Sequence, residues 1–226
     1  LDVIAQALSG SAAEMTAAFS NITDGYDGNL TIFGTLTNAA GVTAVNTVAA
    51  ATTGKISATL QATSTELASL SSTSIDEVVI TVTDGAATTV EATTLSAIGG
   101  KTASDVTVLN AIVVPGTLAE ATAAFVTADT LVIGSSAMVQ LDDTAGSSIA
   151  ASELNTLAGR VASIEVSSEA VLIGSQADIT IALTTDSVTY PDNDYDVSIT
   201  GAFGIDAALI NMYNAVSGST SGELSV

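Results

Sequence analysis

The chain of 226 residues carries 24 acidic and only 3 basic side chains, a formal charge of −21, with 47% hydrophobic residues and neither histidine nor cysteine. Those absences exclude disulfides, His- or Cys-based catalytic triads and His/Cys zinc sites. The charge sets the protein against nucleic acid and anionic membrane surfaces as partners. The chain is nevertheless too rich in apolar residues for a disordered acidic tail, and with 4% aromatics its apolar mass is mostly Ala, Val, Ile and Leu, which suits thin, regular layers.

Taken in order, the chain alternates helix starts with strand-like runs. Gly10-Ser11-Ala12-Ala13-Glu14 opens an apolar stretch ending at Phe19, and the Ser-x-x-Glu pattern predicts a capping box at a helix start. Leu30 to Phe33 reads as a strand. Val45-Asn46-Thr47-Val48 reads as a helix that stops before Gly54-Lys55, followed by a strand from Ile56 to Leu60. Thr63 and Glu66 form a second capping box ahead of Leu67-Ala68-Ser69-Leu70. Ile75 to Asp84 alternates, with Val78, Ile80 and Val82 on one face, and is the clearest strand.

Leu95-Ser96-Ala97-Ile98 then leads to Gly100-Lys101. Thr102 to Val114 is long and interrupted enough to hold two strands. A third capping box, Thr117 and Glu120, opens a helix to Phe125. Further strands are expected at Thr130–Ile133 and Val139–Leu141. Glu153 to Ala158 reads as a helix before Gly159-Arg160, and Val161 to Ile173 again has room for two strands. Ser175 and Asp178 fit a fourth helix start, although the β-branched alternation of Ile179-Thr180-Ile181 fits a strand equally. Val197 to Thr200 is strand-like, and Ile210-Asn211-Met212-Tyr213 leads to Gly222-Glu223.

Two motifs therefore recur. The helix quartets have their second residues at 46, 96, 155 and 211, which are 50, 59 and 56 apart, and the capping openings at 10, 62, 116 and 174 are 52, 54 and 58 apart. All three basic residues follow a glycine in the same slot. Each period holds two strands and two helices, so half a period, about 27 residues, matches one coil of a repeat protein. The expected fold is α/β: a right-handed solenoid of stacked strand-helix coils with one continuous parallel sheet of about eight strands on one face. The expected organisation is a single array of about four units, 1–53, 54–99, 100–158 and 159–226. Gly54, Gly100 and Gly159 are expected at equivalent helix ends, at least two with positive φ. The chain starts and stops at a similar phase of the repeat, with Leu224 placed like Ile56, which reads as a segment of a longer protein or fibre, or as ends that dock onto other copies.

Two loops offer oxygen ligands of the kind calcium prefers: Asp24, Asp27 and Asn29 in one, Asp192, Asn193, Asp194 and Asp196 in the other. The alternative reading of both is turn-forming residues. The adjacent acids Asp76-Glu77 and Asp142-Asp143 have no aromatics beside them to line a sugar site, and read as turns rather than a catalytic pair. No run is long enough for a transmembrane helix.

Glu153-Leu154-Asn155-Thr156-Leu157, Thr52-Thr53-Gly54-Lys55-Ile56-Ser57-Ala58 and Gly10-Ser11-Ala12-Ala13-Glu14 resemble the repeats of long acidic proteins on bacterial, notably cyanobacterial, cell surfaces. The resemblance spans the chain. It implies an extracellular or cell-surface location, and with the stacked repeats the expected role is non-enzymatic and structural, in a fibre or surface layer. The partners it implies are other copies of the chain or flanking repeats. The alternative is an adhesin or tail-fibre-like module that binds a cell-surface glycan.

Overall fold

A computed structural model describes residues 6–20, 26–127, 132–144, 146–166, 170–190, 196–201, 208, 210 and 224–225. It is a mixed α/β structure in which every strand pairing among these residues is parallel. The larger sheet is built from β1 (Leu8–Gly10), β2 (Leu30–Thr37), β3 (Ile56–Ala62), β4 (Glu77–Val82), β5 (Val106–Val108), β7 (Val132–Leu141), β9 (Val161–Glu165) and β11 (Val188–Thr189), hydrogen-bonded in that order, with β6 (Val113–Gly116) added alongside β7. The first residues of the eight ordered strands, 8, 30, 56, 77, 106, 132, 161 and 188, lie 21 to 29 apart. A second sheet of four strands runs β8 (Ser148–Ala150), β10 (Val171–Gly174), β12 (Asp196–Ile199) and β13 (Leu224–Ser225).

The sequence led us to expect one sheet, and the chain makes two. From β7 to β12 the chain alternates between the two sheets, and several strands bend. β2 and β7 run eight and ten residues, and both lose register part-way, after Thr31 and after Gly134. In β2 the break is relieved at Gly34, which sits at φ +83, a conformation that is strained for residues with a Cβ. Elsewhere the bend splits the strand outright, as at β5/β6 and β9/β10, the two places where the sequence left room for two strands. β13 also departs from expectation. It pairs with β12 in the smaller sheet, so Leu224 is not placed like Ile56 of the larger one.

The helices that follow the strands are α1 (Ala12–Phe19), α2 (Asn38–Ala49), α3 (Ser64–Leu67), α4 (Ala92–Gly99), α5 (Leu118–Phe125), α6 (Ala151–Ala158) and α7 (Gln176–Thr184), and Ala208 and Ile210 are also helical. Each packs on the next along the chain. A unit below means one strand segment, or split pair, with the helix after it. The three capping boxes form as the sequence indicates, at Ser11/Glu14, Thr63/Glu66 and Thr117/Glu120. At Ser175 the helix reading wins over the strand. Two of the helices were placed correctly but end differently. Gly100 and Gly159 are the C-caps of α4 and α6, with φ of −66 and −75, and Gly54 is not left-handed either. The last turns tighten instead: Lys101 N–H donates to Ile98 O at 3.0 Å and Arg160 N–H to Leu157 O at 2.8 Å, which satisfies carbonyls without a left-handed residue.

One apolar cluster of strand and helix side chains, from Met15 to Ile199, lies between the layers. Alanine is common where helices meet strands. Ala92 lies against Gly116 and Ala151 against Gly174, so closely that a Cβ on either glycine would come within 2.9 or 3.2 Å of the alanine methyl.

Candidate functional site: polar contacts between units

Several acidic residues are helix caps, and some of these act across units. Glu66 accepts from Thr63 N–H at 2.9 Å in its own capping box, while its second oxygen accepts from Ala39 N–H, 3.1 Å away at the start of α2. Asp84 takes Ser64 N–H at 2.6 Å and Ser64 Oγ–H at 2.9 Å at the start of α3. Asp143 takes Leu118 N–H at 3.0 Å at the start of α5. In each case a carboxylate from the following unit satisfies an orphan amide of the helix before it, where the positive end of the helix dipole favours negative charge.

Asp76, only 4% exposed, is spent in the same way. It accepts from Ile56 N–H at 2.9 Å in the previous strand and from Thr73 N–H at 2.7 Å. Hydrogen bonds to Ser11 hold the Glu14 carboxyl below its ordinary value, those to Thr63 hold Glu66 down, and the Lys55 ammonium does so for Glu77.

The two lysines are cross-unit partners too. Lys55 meets Glu77 of the next strand at 2.6 Å, with both side chains about half exposed, so solvent screens the pair. Lys101 Nζ donates to Ala68 O at 3.3 Å and to Leu70 O. Its charge therefore completes the C-terminal end of α3, not of α4, the helix it follows. The repeated asparagines bind backbone across the stack: Asn46 Nδ2 donates to Ser69 O at 2.8 Å and Asn155 Nδ2 to Asp178 O at 2.9 Å.

Of the seven candidate calcium ligands, Asp24, Asp192, Asn193 and Asp194 lie outside the described residues. Asp27 is exposed just before β2. Asn29 Oδ1 accepts from Lys55 N–H at 3.0 Å, so it links units. Asp196 opens β12 and is paired with Val171. Asp27 and Asn29 thus precede β2 of the larger sheet, and Asp196 lies in the smaller one. No group of three or more acidic, His or Cys side chains placed to hold a metal occurs among the described residues.

Sequence reasoning found the capping boxes but missed Asp76, Asp84 and the second contact of Glu66. A signal was present: Asp76 and Asp84 each lie 20 residues after the amide they accept from. No family model, curated protein or solved structure matches the chain.

Proposed function

We propose that this chain is a non-enzymatic structural module of an extracellular fibre or surface layer, a right-handed solenoid that assembles by stacking units on units. The observation that carries the reading is the run of parallel pairings between strands that begin 21 to 29 residues apart, with helices that pack in the same order. Right-handed crossover is the rule for parallel strands joined through a helix. The consumption of Asp76, Asp84, Asp143 and Glu66 in backbone capping supports a structural role for the acids over a catalytic one. A glycan-binding role draws little support from the tyrosines that are described, because Tyr26 and Tyr190 are buried at 2% and 9% exposure. The surface location rests on the acidic composition and the resemblance drawn from the repeats.

Calcium enters the proposal as a counterion held by Asp24, Asp27, Asn29, Asp192, Asn193, Asp194 and Asp196, lowering the repulsion between modules of charge −21. The test is light scattering, electron microscopy and fibre diffraction of the purified protein in calcium, in chelator, and in sodium chloride of matched ionic strength. Filaments with a meridional spacing of about 4.8 Å are expected. Discrete particles under every condition overturn the fibre reading. Equal assembly in sodium chloride and calcium assigns the effect to screening and removes the specific metal sites.

A further inference from the structure

The larger sheet has one face covered and one open. The helices pack against the inner face, where Val78, Ile80 and Val82 of β4 and Val106 and Val108 of β5 are buried. Apolar side chains nevertheless collect on the other face. Among the described residues seven large hydrophobic side chains are exposed, and five belong here: Phe33, Ile75, Val79, Leu109 and Ile133. Phe33, Val79 and Ile133 alternate with buried neighbours in β2, β4 and β7. Ile75 and Leu109 continue the alternation just beyond the ends of β4 and β5. Phe33 is 58% exposed, which leaves much of a large apolar ring in water.

Charge is nearly absent from the same face. Strands β2, β3, β4, β5 and β7 hold one charged residue between them, Glu77, in a chain with 24 acids. The Lys55 ammonium at 2.6 Å offsets it, and Asp105 stands at the margin, just before β5. The other outward side chains are mostly uncharged and polar. One rung, Thr37, Gln61, Thr81, Thr107 and Ile133, crosses all five strands in register. Adding units at either end of a stacked array lengthens its sheet and leaves this face open.

We infer that the open face of β2, β3, β4, β5 and β7 is an interface between two copies of the chain, packed sheet on sheet about a two-fold axis. Charge and area select a second copy. At −21, copies repel through any acidic surface, and this face lets them approach without bringing like charges together. Five strands about 4.8 Å apart, each roughly six residues long at about 3.3 Å per residue, make a face of about 500 Å². Two-fold pairing sets that face against itself and buries about 1,000 Å² in all, the area at which a specific protein contact begins. Apolar side chains that stand in water in one copy are then covered by those of the other. The contact closes at two copies, and it does not depend on the end-to-end stacking proposed above.

The test is sedimentation of the whole chain over a concentration series in sodium chloride, comparing wild type with Phe33→Glu, Ile133→Glu and Ile181→Glu. Ile181 is exposed on α7, so its variant adds the same charge away from the face. Thermal melting at low concentration checks that all three variants fold. Wild type and Ile181→Glu should dimerise alike. Phe33→Glu and Ile133→Glu should dimerise at least about tenfold more weakly, because the two-fold contact buries each new carboxylate twice. Undiminished association of either face variant overturns this interface, and growth past two copies in that variant assigns the association to end-to-end stacking instead. A wild-type monomer at every concentration overturns the second copy as occupant. Retention of that monomer on an insoluble uncharged glycan, lost in Phe33→Glu, would then give the face to the glycan.

Discussion

At the scale of single residues, glycines that look alike in the sequence do different work. Gly54 and Gly159 both precede a basic residue. A Cβ on Gly54 would lie 2.5 Å from Gly28 O and 2.6 Å from Asp27 O, backbone atoms of the previous unit that cannot swing aside. On Gly159, in an ordinary right-handed turn, it would meet only Thr156 O at 3.5 Å. Gly54→Ala is therefore expected to cost about 1–3 kcal/mol from overpacking. Gly159→Ala should be neutral or stabilising by up to about 1 kcal/mol, since alanine restricts the unfolded chain. Chemical denaturation of the two variants checks the pair, and equal losses in both would return Gly159 to the strained position the sequence suggested.

At the scale of elements, the helices are short and depend on their ends. α1, α4, α5 and α6 have eight residues each, below the length at which an isolated helix persists. Replacing Thr117 by Ala removes the acceptor for Glu120 N–H and is expected to lower stability by about 1 kcal/mol, read as a shift in denaturation midpoint. Glu66 adds a pH dependence. Its folded carboxyl titrates below the ordinary 4.5, so its contribution is present above that value and is lost as pH falls through the lowered one. Glu66→Gln should therefore melt below wild type at pH 7, and the gap should close as pH falls below the ordinary 4.5. Taking the difference between the two proteins largely cancels the separate gain that protonation brings by reducing the net charge. A gap that stays constant with pH would mean that the carboxylate charge is not what caps α2 and α3.

At the scale of the whole molecule, much of the design was legible because it is repeated. Capping hydroxyls and carboxylates three residues apart have a local cause, so Ser11/Glu14, Thr63/Glu66 and Thr117/Glu120 could be read directly. Alternation in Val78, Ile80 and Val82 gave β4 its buried face. What could not be read was set by contacts between units. β1, β8 and β11 are two or three residues long, too short to carry a period, and exist because a neighbouring strand holds them. The division into two sheets arises where the chain alternates between them from β7 to β12, and no change of hydrophobic pattern announces it. Asp76 and Asp84 sit in stretches whose composition says only turn, and their roles depend on amides 20 residues earlier. The calcium loops were read from residue type alone. Of their members that are described, Asn29 is bound to the backbone of the next unit and Asp196 lies in a strand.

The cross-unit helix caps made by charged side chains point one way. α3 takes Asp84 at its first amides and Lys101 at its last carbonyls, both from later in the chain. α2 waits for Glu66, and α5 for Asp143. A helix is finished only when the segment after it has arrived, so a chain emerging from its amino end folds with its front trailing about one unit behind. The coupling also runs backward once the structure exists. Opening one unit strips the charged caps from the unit before it and leaves the unit after it with its own charged caps in place. Amide exchange should then spread upstream from a local break more readily than downstream, and damage at any point is felt first by the residues that preceded it in synthesis.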